Sequence, residues 1–413
     1  MNQKETLHTW GVLFEWKQRM QQNAWLLPEG IDELLPDEAH RLETLRRAIL
    51  DMFAKWGYEL VVPPIIDFLD SLLTGSGHAL DLQTFKLTDQ ISGKMLGVRA
   101  DMTPQVARID AHNLKHAHPS RLCYAGTVLH TRGDALEKTR SPMQIGAELY
   151  GHAGKESDCE IIRLMLEMLA ISGVLNVHID LGHVGIYRAL AEKAQLSPTQ
   201  ESQLFEVLQR KAIPELRTLL DTYALASDLK NAFLKLPELN GDRSVLEKAN
   251  AWLAFDEVQS ALADLDDIYH ALARCFPALS MSFDLAELRG YHYHTGVVFA
   301  AFVPTVGKEI ARGGRYDNIG AIFGRNRPAT GFSADLRVLT ALNKQHETHS
   351  PLRDWIFAPY VEEITLHNTI RDLRAQGRCV VQQLPGQQGG AKELGCSAVL
   401  AQNSQGKWVV ETL

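Results

Sequence analysis

The sequence predicts an α+β fold, a mixed or antiparallel sheet with helices on one side. Three observations point there. Strand-like runs recur along the chain, and most are joined by connections of hairpin length. Between them lie helical stripes with apolar residues at three- and four-residue steps. Several strand-like runs also carry polar residues where a plain core would be apolar: Arg99, Asp101, Gln144, Glu148, Arg289, Tyr291 and Tyr316.

The elements follow in order. Residues 1–24 read as an N-terminal extension. Glu15, Lys17 and Arg19 interrupt any apolar run, so this is no signal peptide. Trp10, Leu13, Phe14 and Trp16 suit an amphipathic helix, and Met20 is a candidate physiological start. The folded core is expected over 25–343. Asp37 can cap a helix whose Leu42, Leu45, Ile49, Met52, Phe53 and Trp56 form one stripe, ended by Gly57. Residues 58–66 read as a strand leading into Pro63-Pro64, and proline belongs at the end or edge of a strand. Residues 83–87 and 94–99 form two strands about the turn Gln90-Ile91-Ser92-Gly93. Thr103 caps the next helix and Pro104 fills its first turn. Residues 121–129 and 143–150 are strands flanking a polar loop over 131–140. Ser157 and Glu160 have the spacing of a capping box. Val177, Ile179 and Leu181 form one face of a strand.

From about 187 to 273 the pattern is helical and rich in Leu, Ala, Glu and Lys, which predicts a helical insertion between strand regions. Strands return at 279–285 and 297–303. Residues 329–333 lead into a helix running to Leu342. A polar linker over 346–351 precedes a small C-terminal α/β module, 352–413, read as strand, helix, strand, glycine-rich turn and two last strands.

Composition excludes several function classes. At 413 residues there is room for two or three domains. A net charge of -8 and a pI near 6.1 argue against nucleic acid as the main partner. Cys123, Cys159, Cys275, Cys379 and Cys396 are widely spaced without C-x-x-C, which reads as reduced, buried thiols of a cytoplasmic protein. No apolar run reaches membrane-spanning length. Neither G-x-S-x-G nor H-E-x-x-H occurs. His292 and His294 share one strand face, as metal ligands need, but no Cys or acidic partner stands at metal spacing, so no metal is expected. Arg312-Gly313-Gly314-Arg315 resembles a phosphate loop only loosely.

The stretch Leu288-Arg289-Gly290-Tyr291-His292-Tyr293-His294-Thr295-Gly296 places an arginine, rings and a glycine turn between two core strands. Two readings are open. The polar residues pair internally, for example Glu148 with Arg289, because buried charges are costly alone. Or they line a pocket, with a positive group for a carboxylate and acidic groups for an amine. Spacing does not choose between them.

Five stretches, in this order, resemble the catalytic core of the histidyl-tRNA synthetase family: Leu27-Pro28-Glu29-Gly30, Arg99-Ala100-Asp101-Met102-Thr103, Gln144-Ile145-Gly146-Ala147-Glu148, Leu288-Arg289-Gly290-Tyr291 and Gly313-Gly314-Arg315-Tyr316-Asp317. The likeness covers about 25–343. It implies a class II aminoacyl-tRNA synthetase-like fold: six antiparallel strands with a short parallel strand, flanked by helices, in a dimer. Departures from the family are informative. Where it has Phe-Arg-x-Glu to hold ATP, this chain has Leu129-His130-Thr131-Arg132. In the last motif, Asp335 stands for the second glycine and Val338 for the arginine. Arg337 is one step off, which on a helix is a rotation of about 100°. An aspartate beside the adenylate repels phosphate. The departures imply weak or absent ATP binding and no adenylation. The tail also differs from the family's anticodon-binding domain.

With those losses, and with the loop His130-Thr131-Arg132-Gly133-Asp134-Ala135-Leu136, the chain resembles the family's paralogues in histidine biosynthesis, the regulatory subunits of ATP phosphoribosyltransferase. That resemblance implies no catalytic activity and no cofactor of its own. It implies a hetero-octamer with the short-form catalytic subunit, self-association as a dimer, and feedback inhibition by L-histidine. Carried over by position, Asp101, Thr103 and Gln144 face the α-ammonium and Arg289 the carboxylate. Glu148 and Tyr316 read the imidazole, with Tyr291 in the same pocket and His294 where synthetases have a second tyrosine. Asp101 stands where they have a longer glutamate. The alternatives are an active histidyl-tRNA synthetase or other histidine-activating enzyme, and an amino-acid-binding module with another partner.

Overall fold

A computed structural model describes residues 26–73, 77–133, 139–288, 290, 293–343 and 353–413. The readings made for residues 1–24, for the linker over 346–351, and for Arg289, Tyr291 and His292 lie outside the described residues. The chain divides into two compact units, Met1–Asn343 and Lys344–Leu413.

In the first unit, α1 (Pro36–Lys55) buries Leu42, Leu45, Ile49, Met52 and Phe53, the expected stripe. It starts two residues earlier than predicted. Leu35 holds the cap position, and Asp37 lies in the first turn, where its charge suits the helix dipole. The strand expected over 58–66 is cut in two, β1 (Glu59–Leu60) and β2 (Ile66–Phe68). Pro63 and Pro64 supply no N–H between them. Helices α2 (Leu69–Leu73) and α3 (Gly77–Gln83) precede β3 (Phe85–Thr88) and β4 (Met95–Val98). Strands β2, β4 and β3 form a separate antiparallel sheet. Helix α4 (Thr103–Arg108) runs into a π turn, Ile109–Leu114.

The main sheet takes β5 (Ser120–Thr127) and β6 (Met143–Tyr150). After α5 (Lys155–Ile171) come β7 (His178–His183) and the helices α6 (Val184–Lys193), α7 (Pro198–Gln209), α8 (Ile213–Thr222) and α9 (Ser227–Lys235). A two-residue strand β8 (Asn240–Gly241) follows, then α10 (Ser244–Trp252) and α11 (Asp256–Cys275). Strands β9 (Ser280–Asp284), β10 (Val297–Phe302), β11 (Ala311–Arg315) and β12 (Ala329–Asp335) lead to α12 (Leu336–Leu342). The helices α6 to α11, with β8 among them, thus lie in sequence between β7 and its sheet neighbour β9. The order is β1-β5-β6-β12-β11-β10-β7-β9-β8. Six strands, β5 to β7 in that order, are mutually antiparallel. β1 joins β5 in parallel, as the resemblance implies, and β9 joins β7 in parallel.

Alternation gives the sheet two unlike faces. On β6, Ile145, Ala147 and Leu149 are buried in the large core beneath α1 and α5. Gln144, Gly146 and Glu148 point the other way.

Local sequence signals are overridden in places. Ser157 and Glu160 form no capping box. Gly154 caps α5 with no side-chain bond. The Ser157 hydroxyl donates to the Gly154 carbonyl at 2.7 Å and accepts from Arg315 at 2.8 Å. Glu160 accepts from Arg121 at 2.7 and 2.8 Å and from Tyr58 at 3.0 Å. The Arg312-Gly313-Gly314-Arg315 run is no loop, since it lies inside β11. Arg315 is buried and pairs with Asp158 at 2.8 Å. Burial pushes the Asp158 carboxyl up to about 6 against the pull of that guanidinium. The cysteines also divide: Cys123, Cys159 and Cys396 are buried, but Cys275 and Cys379 are exposed.

The second unit holds β13 (Arg353–Ala358), α13 (Ile364–Ala375), β14 (Cys379–Gln382), β15 (Cys396–Gln402) and β16 (Trp408–Thr412), ordered β14-β13-β15-β16. Ile356, Ala358, Val380, Ala398 and Leu400 meet Leu366 and Ile370 of α13 in its core. Among the described residues, no helix is long and apolar enough to cross a membrane. None of their His, Cys, Asp and Glu side chains group to hold a metal.

Candidate functional site

The polar face of the main sheet floors a cleft of about 880 Å³. Its centre is Glu148 on β6, which is 2% exposed. The carboxyl is ringed by hydroxyls. Oε1 accepts from Thr103 at 3.0 Å and from Tyr124 at 2.9 Å, and Oε2 accepts from Tyr316. Burial pushes this carboxyl up to about 8, although the Tyr316 and Tyr124 hydroxyls pull it down. It is therefore an uncharged or weakly charged acid near neutrality. Arg289, its partner in the internal-pairing alternative, lies outside the described residues.

Asp101 and Gln144 form the next group. Asp101 Oδ1 accepts from the Thr103 amide at 3.1 Å and from Gln144 at 2.7 Å. Gln144 Oε1 in turn accepts from the Met102 amide at 2.9 Å. The turn before α4 is thus sewn to β6, and Thr103 is carried to Glu148. Every hydrogen bond described for Asp101 falls on Oδ1.

Tyr316, just after β11, stacks on Tyr293, with centroids 4.8 Å apart and planes at 27°. His294 turns its Nδ1 to the Arg315 carbonyl at 3.3 Å. Burial lowers its pKa to about 4, so the ring is neutral. The loop is fastened from both sides. The Arg188 guanidinium of α6 donates to the His294 carbonyl at 3.0 Å, and the Thr295 amide donates to the Arg315 carbonyl at 2.7 Å.

The tightness of the floor shows in its glycines. A Cβ on Gly331 of β12 would lie 1.5 Å from Glu148 Oε2, and one on Gly146 would lie 2.6 Å from the Tyr124 hydroxyl. Gly331 stands opposite Glu148, and Gly146 opposite Tyr124.

At the other end of the cleft stand the positions where the chain departs from the synthetase motifs. His130 Nε2 donates to the Ala100 carbonyl at 3.0 Å. Asp335 Oδ1 caps α12 by accepting from the Arg337 amide at 2.9 Å, and it accepts from the Met143 amide at 3.1 Å. Val338 lines the cleft. Arg337 does not. It reaches Ser141 at 3.4 Å and Asp32 at 3.7 Å, as the one-step rotation predicts. Among the cationic residues of the lining, Arg312 is drawn to Glu309 at 3.1 Å.

Of the residues named from sequence, Asp101, Thr103, Gln144, Glu148, His294 and Tyr316 all line this one cleft. Arg289 and Tyr291 lie outside the described residues. Sequence reasoning missed Tyr124, Tyr293 and Gly331. A signal for the first was present, a glycine directly opposite a tyrosine on the neighbouring strand.

Comparison with known proteins agrees with this geometry. The family model for histidyl-tRNA synthetase matches residues 30–339. The model for the ATP phosphoribosyltransferase subunit HisZ C-terminal domain matches 353–411. The chain is 55% identical over 393 residues to the ATP phosphoribosyltransferase regulatory subunit of Thioalkalivibrio sulfidiphilus, covering 95% of this chain and 99% of that one. It is 56% identical over 390 residues to the regulatory subunit of Methylococcus capsulatus, covering 94% and 96%. Among solved structures, an ATP phosphoribosyltransferase regulatory subunit/histidyl-tRNA synthetase from Bacillus halodurans superposes with a TM-score of 0.77 at 28% identity, covering 88% of this chain and 94% of that one. A histidyl-tRNA synthetase from Nostoc shares the fold, with a TM-score of 0.73 at 16% identity, covering 94% and 97%.

Proposed function

This chain belongs to the family of ATP phosphoribosyltransferase regulatory subunits, and we propose from that premise how its cleft is used. The protein is a regulatory subunit without catalytic activity of its own. It activates the short-form catalytic subunit at the first step of L-histidine biosynthesis and mediates feedback inhibition by histidine. The two work in the cytoplasm as a hetero-octamer. The core over 25–343 carries the ligand site, and the module over 352–413 is a separate folding unit.

L-histidine is the ligand that the cleft fits. Its α-ammonium lies against Asp101, Thr103 and Gln144, and its carboxylate meets Arg289. Its imidazole lies against Glu148 and Tyr316, with Tyr291 and His294 completing the wall. The observation that carries this reading is the contrast along the cleft. The amino-acid end keeps a buried acid ringed by hydroxyls. At the nucleotide end, His130 and Asp335, which stand at positions the family uses for ATP, bond the protein's own backbone. Such a site holds histidine without activating it. Inhibition then requires that histidine bind two states of the complex unequally. Self-association as a dimer is supported by exposed apolar side chains along the segment from β1 to β2, Leu60, Val62, Ile65, Ile66 and Phe68.

Phosphoribosyl transfer by the short-form catalytic chain tests the proposal. Adding this chain should raise the rate, and histidine should lower it. No activation, together with unchanged inhibition, overturns it. A second reading, histidine activation in the manner of a synthetase, draws on the family-model match over 30–339. Histidine-dependent ATP–pyrophosphate exchange would favour that reading.

A further inference from the structure

The backbone between β9 and β10 is held from two sides. On one side, the Thr295 amide donates to the Arg315 carbonyl at 2.7 Å, and the Thr295 hydroxyl donates to Asp317 at 3.1 Å. On the other, α6 takes the carbonyls to either side of Thr295. The Val184 amide donates to the Gly296 carbonyl at 3.0 Å, and the Arg188 guanidinium donates to the His294 carbonyl at 3.0 Å. Val184 and Arg188 stand one turn apart on one helix face. The His294 ring has no room to swing aside, since a Cβ on Gly290 would lie 2.5 Å from it and one on Gly314 2.9 Å. A ligand that presses on this ring therefore pushes on the loop backbone, and the backbone is tied to α6.

That helix is in turn bound into the insertion. Leu190 and Ala191 share a core with Leu265 and Leu272 of α11. The Tyr187 hydroxyl donates to the Glu201 carbonyl of α7 at 2.8 Å, and its ring meets Phe233 of α9 edge-on. We propose that Arg188 is a positioning residue that couples the ligand loop to the helical insertion, so that histidine in the pocket steadies both as one body. The inference rests on the amino-acid pocket proposed above and assigns the insertion as the element that carries the ligand's effect outward. Val184 contributes only its main chain, which any residue but proline supplies. Arg188 contributes a charged donor, and hydrogen bonds from a charged group are the stronger kind.

Hydrogen–deuterium exchange on the full-length protein, with and without L-histidine, tests this. In the wild type, histidine should slow exchange between β9 and β10 and also in α6 and α11, by about fivefold or more. In Arg188→Met, which keeps the apolar stem, the slowing should stop at the loop, and histidine affinity by titration calorimetry should stay within about threefold of wild type. Arg188→Lys, which keeps a cationic donor, should recover part of the slowing in α6. Slowing confined to the loop in the wild type overturns the proposal. So does slowing of α6 and α11 in Arg188→Met equal to that of the wild type. Faster exchange throughout the insertion of ligand-free Arg188→Met marks a plainly structural bond, and weaker histidine binding than stated marks a ligand contact; either overturns it. If calorimetry shows that the wild type binds no histidine, the pocket reading fails first and this inference falls with it.

Discussion

The two ends of the cleft use their polar residues differently. At the end that holds Glu148, side chains bond one another as well as backbone: Gln144 donates to Asp101, and the Thr103 hydroxyl bonds Asp101 and Glu148, in one connected set facing the open cleft. At the other end, where the resemblance implies nucleotide-binding residues, His130 holds the Ala100 carbonyl, and Asp335 holds the amides of Arg337 and Met143. These two side chains have structural duties, and replacing them removes those duties.

Gly331→Ala gives the largest expected effect. The new methyl group collides with Glu148, and overpacking of this kind costs about 3 kcal/mol. Denaturant melts should show that loss, and the histidine response should vanish with it. Next is Glu148→Gln, which should weaken histidine binding about 10- to 100-fold while leaving assembly with the catalytic chain intact. Titration calorimetry and co-purification read the two. This variant also has a pH signature. Burial raises the Glu148 carboxyl, so the native state keeps a proton that the unfolded chain releases. Wild-type stability therefore falls as pH rises from about 4.5 to about 8. Relative to Glu148→Gln, melts across that window should show the wild type losing stability on the order of 5 kcal/mol.

The nucleotide end answers more quietly. The combined variant His130→Arg, Asp335→Gly and Val338→Arg should still give no ATP–pyrophosphate exchange, and it should lose about 1 kcal/mol with the cap and the Met143 contact. Measurable exchange would show that the two ends differ only by those side chains. Arg337→Ala is the smallest change. Its contacts are long and point away from the cleft, so stability should stay within about 0.5 kcal/mol and regulation should be unaltered.

How far the sequence could be read follows from the range of the contacts. The stripe of α1 and the alternation of β6 are local, and both appear where periodicity puts them. The pocket was legible because its residues lie in recognisable stretches, and the structure gathers Asp101, Thr103, Gln144, Glu148 and Tyr316 as the resemblance implied. Ser157 misled because Arg315, remote in sequence, takes its hydroxyl. Tyr293 lies in the stretch that the sequence singles out, but nothing local tells its ring apart from its neighbours, and the glycine opposite Tyr124 is seen only once the strands are paired. Only strand order brings Tyr124 to Glu148 and Tyr293 to Tyr316. Gly331 is the first glycine of the last family motif, but that it stands opposite Glu148 is visible only in the paired sheet.

Strand order has a bearing on synthesis. β6 is complete at Tyr150, yet its neighbour β12 does not begin until Ala329. A chain emerging N-terminus first must therefore carry β6 with one edge unpaired while the whole helical insertion is made. The seam that closes last is the one where Glu148 meets Gly331. The floor of the cleft and the completion of the sheet are a single event, so the surroundings of Glu148 are complete only once almost all of the core has been translated.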